Sequence, residues 1–375
     1  MIGEHVEILS GYAFNSKEFN TNEEGIPLVR IRDVGKIRSK TYYTGKYSNK
    51  YILGNGDFLI GMDGDFRLAI WNGGKALLNQ RVCKITPNES VFNSGYMYYM
   101  LPKELKRIED TTSFATVKHL SVKKIKNIEI PLPPLDQQKK IAAILDAADA
   151  YRQKTKALIE KYDELTQSLF LDMFDSLAGD KISLSTICDI NPKKSEISSV
   201  ARSTLVSFMP MANVSVKGQV FHIEKKTIDE VWSGFTYFKE NDVVFAKITP
   251  CMENGKGAIM RNLKNSIGFG TTEFHVLRPL KAHSTSEYLF HLTHSKHFRA
   301  LAEVNMTGSA GQKRVPKDFF DKYKIVPPSI KLQNQFADSV KAIEAQKAQA
   351  QGSLDQAEDL FNSLLQRAFK GELTN

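Results

Sequence analysis

The side chains whose types and spacing could do chemistry fall into a few groups, and each fails on a separate ground. His291, His294 and His297 resemble a metal cluster. On a continuous helix, however, the outer two point about 240° apart and cannot converge on one ion. Asp57, Asp63 and Asp65 could suggest a metal-dependent nuclease, yet no supporting lysine-carboxylate motif accompanies them, and their setting suits turn acids. No glycine-rich cofactor loop and no P-loop for ATP occurs. An Asn or Asp followed by Pro-Pro and an aromatic, as an adenine methyltransferase would need, is also missing; Asn191-Pro192 leads into lysines instead. Cys83, Cys188 and Cys251 are odd in number and widely spaced, with no CxxC, which fits a reducing cytoplasm and no structural zinc. The expectation is a chain with no catalytic residue, no metal site and no cofactor of its own.

Composition narrows the class further. At 375 residues, 42% hydrophobic and 25% charged, the chain suits two or three globular domains. No apolar run approaches the roughly 18 residues of a membrane span, and the start lacks the pattern of a signal peptide. A net charge of +9 is compatible with nucleic acid binding without requiring it.

The dominant organising feature is a repeat. Residues 131–174 and 326–369 each run from a proline pair (Pro133-Pro134, Pro327-Pro328) through a glutamine-rich turn into a long helical pattern ending in phenylalanine. Ile141 and Phe336, Leu145 and Val340, Ile159 and Leu354, and Phe174 and Phe369 are each 195 residues apart. Ser329-Ile330 stands where the first copy has only Leu135, a one-residue insertion. Proline cannot continue a helix or donate to a ladder, so each pair marks the exit from a folded unit. In the first copy Ile141, Ile144, Ala148, Tyr151, Thr155, Leu158, Tyr162, Leu165 and Leu169 alternate steps of three and four, the seam of a coiled coil. The second copy offers Phe336, Val340, Ile343, Lys347, Ala350, Leu354, Ala357, Phe361, Leu364 and Ala368, with Lys347 and Gly352 as weak points. Roughly 40 residues at about 1.5 Å each make a rod of about 60 Å. The simplest way for two such rods to bury their stripes is to pack on each other.

The regions before each rod read as mixed and strand-rich. Strands are expected at 26–34, 57–62, 68–71 and 82–85 in the first and at 204–211, 242–248, 257–260 and 273–277 in the second. Helices are expected at 96–110, 121–126 and 286–303. Asp33-Val34 aligns with Asn213-Val214, Gly56-Asp57 with Asn241-Asp242, and Lys118 with Lys313, at separations of 180, 185 and 195. The expected fold is α+β: two strand-rich domains (1–130 and 179–326), two helical regions (131–178 and 327–375) forming a long antiparallel pair, and an internal pseudo-twofold repeat.

PLPPLDQQKKIAAIL at 131–145, VPPSIKLQNQFA at 326–337, LLQRAFKGEL at 364–373, SGYAF at 10–14 and AKITPCMENGK at 246–256 together resemble the specificity (S) subunits of type I restriction-modification systems, over essentially the whole chain. The resemblance implies a cytoplasmic bacterial or archaeal DNA reader without chemistry of its own. Each strand-rich domain would read half of a bipartite double-stranded DNA site, and the helices would set the spacer. Two methyltransferase (M) subunits using S-adenosylmethionine would dock on the helices and methylate adenine, and restriction (R) subunits using ATP and Mg would complete the enzyme. Self-association through an empty docking face is a further expectation. A self-contained DNA-modifying enzyme, a protein-binding coiled-coil scaffold and a degenerate reader remain as alternatives.

Residue chemistry then nominates contacts. Lys118-His119 and Lys313-Arg314 occupy matching places ahead of the proline pairs, after small polar stretches at 111–113 and 307–309 that could hold phosphates. Lys247, Thr249, Asn254 and Lys256 cluster after a strand; lysine can meet guanine or phosphate, and asparagine can pair with adenine. The first domain has Gly61, Met62 and Asp63 there. Arg30, Arg32 and Arg81 are further candidates. For helix-helix and subunit contacts the candidates are Ile141, Ile144, Leu158, Leu165, Leu169, Phe336, Val340, Ile343, Leu354, Phe361 and Leu364.

Overall fold

A computed structural model describes residues 1–112, 118–309 and 311–373. Two compact units emerge. One comprises residues 1–156 with 353–375, the other residues 157–352. The boundary falls inside both long helices, Leu135–Phe174 and Ile330–Phe369. Each unit thus combines a strand-rich region with part of each helix.

In the first unit an antiparallel sheet runs in the order Val6–Ser10, Val82–Pro87, Asp57–Gly61, Leu68–Trp71. In the second, Cys188–Ile190, Phe274–Pro279, Val243–Ala246 and Gly257–Ile259 repeat that order. Each unit adds a second sheet with one parallel pair, Leu28 against Leu77 in the first and Phe208 against Phe269 in the second. The aligned sequence pairs have structural causes. Gly56 and Asn241 take left-handed backbones (φ +91° and +66°), and the next residue's carboxylate, Asp57 or Asp242, accepts from the N–H three residues back, Gly54 or Lys239. Asp33 and Asn213 both end short 3₁₀ turns. A forked pair distinguishes the second copy: the Arg278 guanidinium spans both Asp242 oxygens (2.7 and 2.8 Å) and also grips Glu196, where Asp57 of the first copy meets a single lysine, Lys84. Burial pushes the Asp242 carboxyl up while Arg278 opposes it. Arg278→Ala strands a buried carboxylate and is expected to cost about 3 kcal/mol in urea unfolding. A loss below about 1 kcal/mol would mark the pair as an ordinary surface bridge.

Both long helices are anchored by the same device. Gln138 and Gln333, 195 apart and buried, each donate to the proline pair just ahead of their own helix (Pro133 O, 2.8 Å; Pro328 O, 3.0 Å) and to a loop carbonyl (Val91, His283). Each accepts the N–H of the next helix's capping residue, Asn93 or Thr285, at 2.9 Å. An amide can satisfy donor and acceptor demands at once, which the junction requires.

Within each unit the helix segments run antiparallel. In the first, Lys156 pairs with Glu358 and Arg152 lies over the Phe361 ring. In the second, Asp163 pairs with Lys347, and Phe170 packs on Phe336. The second helix buries the expected stripe: Phe336, Ala350, Leu354, Ala357, Phe361 and Ala368 are buried, Val340, Ile343 and Leu364 half-buried. Lys347 is accommodated by its 2.5 Å bond to Asp163.

The first helix differs from expectation. Ile141 is buried and Leu169 half-buried, but Ile144, Tyr151, Leu158 and Leu165 are 38%, 54%, 42% and 50% exposed. Between them Leu145, Thr155 and Thr166 are buried, and Arg152 and Ile159 half-buried. Polar residues are tolerated there because Thr155 and Thr166 donate their hydroxyls to the carbonyls of Tyr151 and Tyr162, four residues back. Arg152 lays its guanidinium on Phe361 and bonds Asp149. Ile144, Tyr151, Leu158 and Leu165, at intervals of seven, form the more exposed row of this helix.

Candidate nucleic-acid interface

The loop after the third sheet strand and the segment ahead of the proline pair meet in the same way in both units. In the first, Leu120 N–H donates to Met62 O (2.7 Å) and Gly64 N–H to Lys118 O (2.9 Å). In the second, Val315 N–H donates to Lys247 O (2.9 Å) and Thr249 N–H to Lys313 O (3.0 Å). Asp63 bridges His119 as Ile248 bridges Arg314. Met62, Asp63 and Gly64 are thus the structural counterparts of Lys247, Ile248 and Thr249. One backbone frame carries different side chains.

Around the first frame, Asp63 gathers the candidates. Its two carboxylate oxygens meet His119 Nδ1 at 2.6 Å and the Arg81 guanidinium at 2.9 Å, both from exposed residues. Arg32 and Arg67 line a surface cleft with Asp63, Ile31 and Gly61, and Arg67 bonds Asp65. Arg67 was not singled out in the sequence; only its place opposite Asp63 reveals it. Two candidates have structural employment. The Lys118 ammonium donates to Glu109 O (2.6 Å) at the end of the helix Ser94–Thr111, where the dipole favours a cation. The hydroxyls of Thr111 and Thr112 cap that same helix, and Ser113 lies outside the described residues. Arg30 and Arg32 do not alternate along a strand. The strand ends at Val29, because the Asp33 carboxylate accepts the Arg30 N–H and turns the chain into a 3₁₀ helix, Ile31–Asp33. Arg30 then lies toward Phe19, and Arg32 bonds Thr41.

Around the second frame, Arg314 makes a bidentate pair with Glu273 (2.9 Å), which holds the Glu273 carboxyl below its usual range. The Arg314 backbone pairs with Thr307 on the neighbouring turn. Lys313 is exposed, Lys247 half-buried, and Asn254 exposed at the loop tip. Thr249 gives its hydroxyl to Glu253 and Lys256 reaches Met211 O (3.3 Å). The second frame therefore offers Lys247, Asn254, Lys256 and Lys313 along one loop and its neighbour, while Thr249 and Arg314 shape it.

The expected helix at 286–303 is two, Ser286–His294 and Lys296–Val304, because Ser295 leaves helical geometry and caps the second with its hydroxyl on Phe298 N–H (3.1 Å). The three histidines therefore do not share one helix: His291 and His294 end the first, and His297 lies on the second.

The family model described as type I restriction modification DNA specificity domain matches residues 1–162 and again 180–358. The chain belongs to this specificity family. Among its relatives, the EcoBI specificity subunit of Escherichia coli is 46% identical over 158 residues, 42% of this chain and 33% of that subunit. The EcoEI specificity subunit of Escherichia coli is 38% identical over 189 residues, 49% and 31% of the respective chains. These alignments span about a third of the relatives' length. In fold, this specificity-family chain resembles the type I restriction-modification S subunit of M. genitalium (TM-score 0.54, 13% identity, 98% and 94% of the two chains). It also resembles a chain from a study of complex assembly and conformational transition of the type I system (TM-score 0.56, 16% identity, 98% of both). Among the described residues no helix is long and apolar enough to cross a membrane.

Proposed function

We propose that each unit reads one half of a bipartite double-stranded DNA site, and that the chain acts as the specificity subunit of a type I restriction-modification enzyme. The observation that carries this reading is the duplicated frame with unlike side chains: Met62-Asp63-Gly64 in one unit, Lys247-Ile248-Thr249 in the other. Two readers of one design facing different bases need a constant backbone and variable loops. Exposed Arg81, Arg32 and Lys313 and half-buried Lys256 supply phosphate-seeking charge beside the polar groups that discriminate bases.

The helices set the number of unread base pairs, and the outer row of Ile144, Tyr151, Leu158 and Leu165 docks methyltransferase subunits. Those M subunits bring S-adenosylmethionine and methylate adenine; R subunits bring ATP and Mg. This chain supplies recognition. Adenine methylation mapping in cells carrying the chain with its M subunit, against cells with the M subunit alone, is expected to reveal a split motif that depends on the chain. Exchanging one strand-rich region should change one half of that motif only. An assembled complex with no chain-dependent methylation would instead favour a scaffold or a degenerate reader.

A further inference from the structure

The second unit carries a feature with no counterpart in the first. Its frame loop runs from Lys247 to Lys256, whereas the corresponding loop of the first runs only from Met62 to Arg67. The helix behind is unbroken in the first unit, Ser94–Thr111, and broken at Ser295 in the second. On a continuous helix residues 294 and 299 would point about 140° apart. The break lets both face the loop. A Cβ at Gly255, whose φ is +76°, would lie 2.9 Å from Arg299 Nη1, and one at Gly257 would lie 3.2 Å from the His294 ring. Arg299 Nη1 donates to Glu253 O (3.2 Å). His294 donates from Nδ1 to Phe290 O (2.8 Å), and burial pushes its pKa down to about 4, so the ring is neutral.

This contact buries two side-chain atoms without partners, Arg299 Nε and Glu253 Oε2. Among the described residues no ion pair joins Arg299 or Glu253 to an opposite charge. Such unmet capacity is costly in a core and is tolerated where a segment has work to do.

We propose that the broken helix is a grip on the loop 247–256, with Arg299 as the positioning residue that fixes how this loop meets the half-site read by the second unit. Arg299 acts through the loop and contacts no DNA. The inference rests on the DNA-reading role proposed above.

The test uses the full chain with its M subunits and a duplex carrying the motif found by methylation mapping, with companion duplexes altered in either half. Arg299→Met keeps the aliphatic stem over Gly255 and removes the charge and donors. It is expected to weaken binding to the intact duplex more than tenfold and to erase discrimination at the second unit's half, leaving discrimination at the other half unchanged. Arg299→Lys, which restores a cation within reach of Glu253 O, should recover binding to within about threefold. The unfolding midpoint reported by Trp232 should be the same in all three proteins. Wild-type behaviour of Arg299→Met would overturn the grip. So would a loss at both halves together with a lowered midpoint, which marks a merely structural residue. A wild-type complex with no chain-dependent motif would remove the DNA-reading role first, an outcome distinct from either.

Discussion

Lowering the pH from 7 to 5 is expected to destabilise the second unit by about 6 kcal/mol while leaving the first nearly unchanged. The cause is a set of histidines that the second unit buries neutral. His275 is wholly buried; its Nε2–H donates to Val315 O (2.7 Å) and its Nδ1 accepts from Asn191 Nδ2 (3.0 Å), so a second ring proton would face an amide donor. Burial pushes its pKa from 6.5 down to about 4, and that of His294 likewise. His291, against Phe336 and Phe170, is pushed to about 3. The sign follows from proton counting. Between about pH 6.5 and 4 the unfolded chain binds protons that the folded chain refuses, so stability rises with pH in that window and is lost on acidification. Each enclosed ring contributes about 1.4 kcal/mol per pH unit, so His275, His291 and His294 together give about 6 kcal/mol between pH 6.5 and 5. Asp242, held above its usual range by burial, works in the opposite direction.

The measurement is available because the chain has 2 tryptophans, Trp71 in one unit and Trp232 in the other. Urea unfolding of Trp71→Phe reports the second unit, and that of Trp232→Phe reports the first, each compared with itself at the two pH values. A fall of similar size in both units would point to general carboxylate titration. No fall in the second would mean that the rings are open to solvent.

The comparison of sequence with structure shows where patterns carry information and where they do not. The 195-residue repeat located both helices, since proline pairs and long apolar periodicity are strong local signals. The second seam was legible because Phe336, Leu354 and Phe361 leave little choice of face. On the first helix the expected seam holds at Ile141 and Thr155 but not at Tyr151, Leu158 and Leu165, while Thr166 is buried in their stead because its hydroxyl, like that of Thr155, finds a carbonyl four residues back. Hydropathy alone cannot see that satisfaction. The Gly-bounded strands were recognisable, whereas the short Cys188–Ile190 and Ile267–Gly270 depend on pairing with distant strands. The candidate contacts were found as types but not as partners. The repeat aligned Lys118 with Lys313, yet only the fold shows the first ammonium spent on a helix end. Ser295 carried a usable signal, a serine able to cap the following Lys296–Val304. The pairing of Arg299 with the loop carried none.

Replacing Leu158 and Leu165 together with serine separates the two uses of the first helix. Both lie in the second unit and are 42% and 50% exposed, so the unfolding free energy reported in Trp71→Phe should change by no more than about 0.5 kcal/mol per site. If the outer row docks M subunits, each leucine becomes buried on assembly, and losing both should weaken M-subunit binding by roughly 3 kcal/mol, about a hundredfold. Phe336→Ala supplies the contrast. Its ring is fully buried against Phe170, Phe174 and His291, so truncation should cost about 3–5 kcal/mol in unfolding whatever happens at the outer face. Sedimentation or calorimetric titration with the M subunit reads the first effect and urea unfolding the second. Normal assembly by the double serine variant would move docking off this row. A large loss of stability instead would show that Leu158 and Leu165 belong to the helix-helix seam after all. The opposite pattern, a stable chain that no longer assembles, is the outcome that the proposed docking on this row requires.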